Sequence, residues 1–164
     1  MAVNPIDLWA KDLPEAATQW LDGRRVEEIE AIIGDFAGIA RGKVMPARKF
    51  IATERSFLPV SVFYQTITGE YSDYDTEESW TERDMVLIPD LSTAVASPWA
   101  DDVTIQIIHD MESLDGEPVP LAPRYVLKRV LALYEAKQTG RNKVCVWSTR
   151  TPTNHQAQTD LANS

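Results

Sequence analysis

Asp84-Met-Val-Leu-Ile-Pro-Asp90, followed by Leu91-Ser-Thr-Ala94 and Pro98-Trp99, decides how this chain is read. Met85 to Ile88 are apolar without alternation, so both sides of the element must be covered, and a buried strand is expected. Pro89 has no N–H to give a ladder and ends it. Downstream, Asp102 to Ile108 alternates, with Val103, Ile105 and Ile107 on one side, and His109 is expected at the strand's end. Upstream, Val26 to Ile33 alternates Ile29, Ala31 and Ile33 with Glu28, Glu30 and Ile32, the pattern of a half-buried strand. Gly34-Asp-Phe-Ala-Gly38 supplies a turn in which both glycines are available for positive φ. Gly38 to Val44 then returns as the second arm of a hairpin.

Shorter elements fill the intervals. Pro46 to Ala52 reads as a short helical turn, and Val60 to Phe63 as a short strand. Asp12-Leu-Pro-Glu15 has the spacing of a capping box, predicting a helix to Leu21 or Asp22 with Gly23 as its stop. Near the other end, Leu127, Val130, Leu131 and Tyr134 stand at i, i+3, i+4 and i+7, an apolar stripe on a helix from about Ala122 to Lys137. Strands interspersed with helices make the class α+β.

At 164 residues the chain is sized for one domain and an extension. The net charge of −9 argues against a nucleic-acid partner, which would need a basic face. It is unevenly spread: residues 1–135 carry 12 Lys and Arg against 24 Asp and Glu, whereas 136–164 carry four against the single acid Asp160. Residues 138–164 are also rich in Thr, Asn, Gln and Ser, and disorder is expected there. Cys145 is the only cysteine, so no internal disulfide and no zinc cluster is expected. No basic leader or membrane-length apolar run is present, and the expected location is cytoplasmic, away from membranes.

The chemistry-bearing residues are sparse. His109, Asp110 and Glu112 are close in sequence, but neighbouring strand side chains point to opposite faces, so a structural histidine is the favoured reading. His155 lies in the polar tail. Ser61 and Thr66 have no nearby base. Arg41-Gly-Lys43 falls short of a phosphate loop and reads as a hairpin edge with solvated cations. Glu70 to Asp84 lacks calcium-loop spacing and reads as a long solvated loop, of the kind that carries function. Trp80 within it leaves two readings open, packing on the domain or contact with a partner.

In order and spacing, Gly34-Asp-Phe-Ala-Gly-Ile-Ala-Arg-Gly-Lys43, Asp84-Met-Val-Leu-Ile-Pro-Asp90 and Pro123-Arg124 resemble the N-terminal domain of the glutamine synthetase family, ATP-dependent ligases of nitrogen metabolism. The resemblance covers roughly Val26 to Lys137. It implies a β-grasp-like mixed sheet with flanking helices, divided as 1–24 helical lead, 25–121 β-grasp domain, 122–137 connecting helix and 138–164 atypical tail. It further implies a loop, Tyr64 to Arg83, lent to a neighbouring subunit's active site, with Tyr64, Gln65, Thr66 and Trp80 as substrate-binding positions. Thr66 stands where ordinary glutamine synthetases carry an aspartate for ammonium. It brings no negative charge, which favours branches that ligate glutamate to polyamines or other amines.

The same resemblance implies ATP and Mg²⁺ or Mn²⁺ for the complete family enzyme. The metal-binding Glu-x-Glu-Phe expected after the helix is not found beyond Lys137, so no cofactor, metal or catalytic residue is assigned within this chain. The expectation is a truncated piece of a glutamate–ammonia or glutamate–amine ligase, inactive alone. Its partners would be synthetase subunits or further copies of itself, joined through the Leu127–Tyr134 stripe. The rival is a free-standing β-grasp interaction module that binds a synthetase subunit or another partner.

Overall fold

A computed structural model describes residues 11–53, 55–71 and 83–138. These fall into two units, one ending at Tyr125 and one beginning at Val126. The polar tail from residue 139, with His155 and Asp160, and the loop segment 72–82, with Trp80, lie outside the described residues.

The elements run α1 (Glu15–Trp20), β1 (Glu28–Gly34), β2 (Ala40–Pro46), α2 (Ala47–Ala52), β3 (Ser56–Pro59), a 3₁₀ helix (Val60–Tyr64), β4 (Asp84–Pro89), a 3₁₀ turn (Leu91–Thr93), β5 (Val95–Ala96), β6 (Thr104–Glu112) and α3 (Pro123–Gln138). The sheet is ordered β2-β1-β6-β4-β3, with β5 also on β6. β1 and β6 are parallel at its centre, and the other pairs are antiparallel. This is the α+β mixed sheet with flanking helices that the sequence predicts.

Strand burial follows the alternation. Ile29, Ala31 and Ile33 on β1, and Ile105, Ile107, His109 and Met111 on β6, point into the core. Met85, Val86 and Leu87 on β4 are all buried, as an unbroken apolar run requires. The core has two clusters. One gathers Leu13, Leu21, Val26, Ile29, Ile105 and Ile107; the other gathers Ile33, Met45, Phe63, Met85, Leu87 and Met111. Phe50 of α2 packs against both. The edge strands are tied by side chains: Lys43 of β2 donates its ammonium to the Phe57 carbonyl of β3, and the Ser56 hydroxyl reaches Met45 Sδ at 3.8 Å.

β4 and β5 run one after the other along the same edge of β6. The 3₁₀ turn between them interrupts the ladder, and side chain and backbone mend it. Asp90 N–H donates to Ile108 O at 3.0 Å, and Ile108 N–H donates to Thr93 Oγ1 at 2.9 Å.

Several expectations are corrected. The capping box does not form: α1 is capped by Pro14, and no side chain supplies a cap bond. Val60–Phe63 is a 3₁₀ helix, with the strand just before it; Pro59 cannot donate to the ladder, and Ser61, Val62 and Phe63 are all buried, which strand alternation would not allow. β6 continues through His109 to Glu112, because β4 pairs with its far half. Only Gly38 of the two turn glycines has positive φ (76°); Gly34 ends β1. Arg41 is half-buried and bonded across the fold, so the picture of a solvated edge cation is wrong for it; Lys43 stays exposed, as expected, while its ammonium reaches the Phe57 carbonyl.

In the second unit, Leu127, Val130, Leu131 and Tyr134 of α3 are all exposed, and the helix buries Ala132 and Ala136 instead. No helix among the described residues is long and apolar enough to cross a membrane.

Candidate functional site

The stem of the Tyr64–Arg83 loop is the part of the first unit where the sequence places function. The Val60–Tyr64 helix brings the chain out of the core, burying Ser61, Val62 and Phe63 and leaving Tyr64 half-buried. Val60 N–H donates to Arg83 O at 2.9 Å, so the two ends of the loop meet at the domain. Tyr64 and Arg83 both line an open groove of about 660 Å³ whose apolar wall includes Met85, Val119 and Leu121.

Gln65 pairs with Tyr71 in an antiparallel bridge, and inside it Thr66 N–H donates to Glu70 O at 2.7 Å. Gly69 closes the turn, donating to Thr66 O at 2.9 Å with φ 88°, a conformation a residue with Cβ seldom adopts. The Thr66 and Thr68 hydroxyls lie 2.9 Å apart on this turn. Of the four positions marked in the sequence, Tyr64, Gln65 and Thr66 are therefore gathered on the stem, and Trp80 lies outside the described residues.

Sequence reasoning missed what holds the stem. Asp35, in the β1–β2 turn, is a buried carboxylate whose Oδ1 accepts from Ala37 N–H at 2.9 Å and Ile39 N–H at 2.8 Å. Its Oδ2 accepts from Arg41 Nε at 2.8 Å, and Arg41 Nη2 donates onward to Thr66 O at 2.6 Å. Burial raises the Asp35 pKa, but the Arg41 guanidinium and the Ile39 and Ala37 amides outweigh it and hold the carboxyl below its ordinary value. The available signal was the Asp35–Arg41 spacing inside a motif otherwise rich in glycine.

The remaining motif residues converge on a second arginine. Asp90 Oδ1 accepts from Ser92 N–H at 3.2 Å, while Oδ2 accepts from Arg124 Nη2. Arg124 Nε donates to Asp110 Oδ1 at 2.9 Å. The Pro89-Asp90 and Pro123-Arg124 pairs are thus one ionic tie among β4, β6 and the start of α3.

His109 shares neither ion cluster. It is 1% exposed, its Nδ1 lies 2.9 Å from Ile107 O, its ring meets Phe50 edge-on at 5.9 Å, and Nε2 has no partner among the described residues. Burial lowers its pKa and keeps the imidazole neutral in the core. Asp110 and Glu112 lie on the opposite side of β6 from it. Among the described residues no group of three His, Cys, Asp or Glu side chains could hold a metal ion. What the stem offers a ligand is hydroxyls, carbonyls and amides on a fixed turn.

No family model matches the chain. Over 126 residues it is 29% identical to a glutamate–isopropylamine ligase from a Pseudomonas species, covering 74% of this chain and 27% of that protein. Over 101 residues it is 33% identical to type-1 glutamine synthetase 2 of Dictyostelium discoideum, covering 59% of this chain and 19% of that one. A crystal structure of a novel glutamine synthase homolog superposes with a TM-score of 0.57 at 19% identity, over 71% of this chain and 28% of that chain, and supports the fold. The sequence relatives and the fold alike support a glutamine synthetase family N-terminal domain. The chain spans 19–27% of the length of these two relatives.

Proposed function

We propose that this domain serves a glutamine-synthetase-type ligase that joins glutamate to an amine, and that its Tyr64–Arg83 loop is lent to the active site of a neighbouring subunit. The observation that carries the reading is the stem: a loop whose two ends are closed by Val60 N–H to Arg83 O, and whose first turn is bonded to another hairpin, is built to present residues outward. Thr66 offers a hydroxyl on that turn where the family pattern has a carboxylate. The amine class is taken from the name of the isopropylamine-ligating relative. The Thr66 hydroxyl can accept a hydrogen bond from an amine without adding the negative charge that would hold a bare ammonium ion.

ATP and Mg²⁺ or Mn²⁺ are implied for a complete ligase of this family. The described residues do not fit a metal, and no step of phosphoryl transfer is assigned to them. By itself the chain is expected to show no glutamate-dependent ATP turnover, and measurable turnover would exclude a purely accessory role. The substrate reading is tested by a hybrid in which this domain replaces its counterpart in a glutamate–isopropylamine ligase. The hybrid should prefer isopropylamine to ammonium, and Thr66→Asp should move the ratio toward ammonium by about tenfold. An assembled hybrid without turnover, or a ratio indifferent to Thr66→Asp, overturns it.

A second reading is a free-standing module that binds a synthetase subunit or a second copy of this chain. The exposed Leu127, Val130, Leu131 and Tyr134 of α3 favour it, because such a stripe is seldom left in water. Light scattering should then find the wild type larger than a monomer and Leu131→Glu smaller. A wild type that stays monomeric at high concentration removes this reading.

A further inference from the structure

Arg41 pairs in register with Ile33, whose side chain is buried, so the arginine leaves β2 on the core side of the sheet. A guanidinium in that position is costly unless its donors are matched. The hairpin turn alone asks for little of it. Asp35 already satisfies the Ala37 and Ile39 amides through Oδ1, and the Arg41 Nε bond to Oδ2 completes a local ion pair. The other arm of the fork reaches a residue 25 positions away, the Thr66 carbonyl. That carbonyl also accepts from Gly69, so Arg41 bonds to the oxygen that closes the Thr66–Gly69 turn. From the same hairpin, Phe36 stacks on Phe63 with ring centroids 5.3 Å apart. One hairpin therefore grips the loop stem on both sides of Tyr64 and Gln65.

We propose that Asp35 and Arg41 are positioning residues for the Thr66–Glu70 turn, holding its hydroxyls at a fixed place and thereby setting which amine the loop accepts. The part about the amine rests on the reading of the loop given above; the clamp itself does not. A planar fork is needed because a single donor cannot reach carboxylate and carbonyl together.

The clamp is tested on the full chain by amide hydrogen exchange. Arg41→Ala should speed exchange at Thr66 and Gly69 by about tenfold while the central amides of β6 are unchanged. Arg41→Lys, which retains charge without the fork, should give an intermediate rate, and it serves as the readout where Arg41→Ala does not fold. Lys43→Ala, which loses only the contact to Phe57, should leave Thr66 and Gly69 unaffected. Unaltered exchange at those two amides in both Arg41 variants means the pair serves only its own hairpin, and ends the proposal. In the hybrid ligase, Arg41→Lys should raise KM for the amine several-fold with KM for glutamate unchanged. Faster exchange with an unmoved amine KM keeps the clamp and discards the loop-lending reading, so the two can fail separately.

Discussion

Two arginines hold this domain, and they are built alike. In each case an aspartate gives one oxygen to its own turn, Asp35 to two amides and Asp90 to the amide and hydroxyl of Ser92, and the other to the arginine, whose second arm goes elsewhere in the fold. Arg124 joins Asp90 to Asp110, and Arg41 joins Asp35 to the Thr66 carbonyl. The surroundings differ. The Asp90 and Asp110 side chains are 25% and 22% exposed, while that of Asp35 is fully buried. The Arg124 site matches its charge with two carboxylates between neighbouring elements, and water shares the work. The Arg41 site has one fully buried carboxylate and a neutral oxygen, with the arginine side chain itself 17% exposed. The first is an architectural tie; the second binds a loop to the sheet and has little tolerance for loss.

The sharpest test of that contrast is Asp35→Ala against Asp90→Ala. Removing Asp35 leaves a half-buried guanidinium and two turn amides without their acceptor, and should cost about 3–5 kcal/mol in urea unfolding. Removing Asp90 frees a cap and a partly solvated ion pair, for about 1–2 kcal/mol. Equal losses would erase the distinction.

Gly42 stands between Arg41 and Lys43, and a Cβ there would lie 1.9 Å from the Ala31 carbonyl oxygen. Gly42→Ala should therefore push β2 from β1 and carry both cations off their acceptors, at about 3 kcal/mol. A neutral result would show that the hairpin has slack.

Salt should separate the two sites more gently. At 1 M NaCl the Debye length is about 3 Å, so the penalty of Arg124→Ala should shrink, while that of Arg41→Ala should not. If both shrink alike, Asp35 is reached by water.

The smallest effect expected is in pH. His109 has a lowered pKa in the folded state, so the unfolded chain binds more protons near and below about pH 6.5. Its contribution to stability is full above that value and is lost as pH falls through the folded pKa. Asp35 behaves in the same sense at lower pH: its contribution is present above about pH 4 and lost as pH falls through its depressed value. Urea midpoints from pH 7.5 to 5 should decline for the wild type and stay flatter for His109→Leu. Matching curves would place His109 in water.

What the sequence determined on its own was whatever depends on neighbours a few residues apart. The alternation of Ile29, Ala31 and Ile33, the unbroken run Met85 to Leu87, the stop at Pro89 and the extent of α3 are local consequences of strand and helix periodicity. The tertiary structure decided everything that needs a distant partner. Val60 to Phe63 has the composition of a strand, yet it coils into a 3₁₀ helix where Pro59 ends the pairing of β3 with β4. His109 reads as the end of a strand, yet β4 extends pairing through it and seals it beside Phe50. Arg41 reads as a surface cation, and only a carbonyl 25 residues away makes it a clamp. Such a hydrogen bond leaves no periodic trace in the chain, because it depends on where folding brings two backbones together.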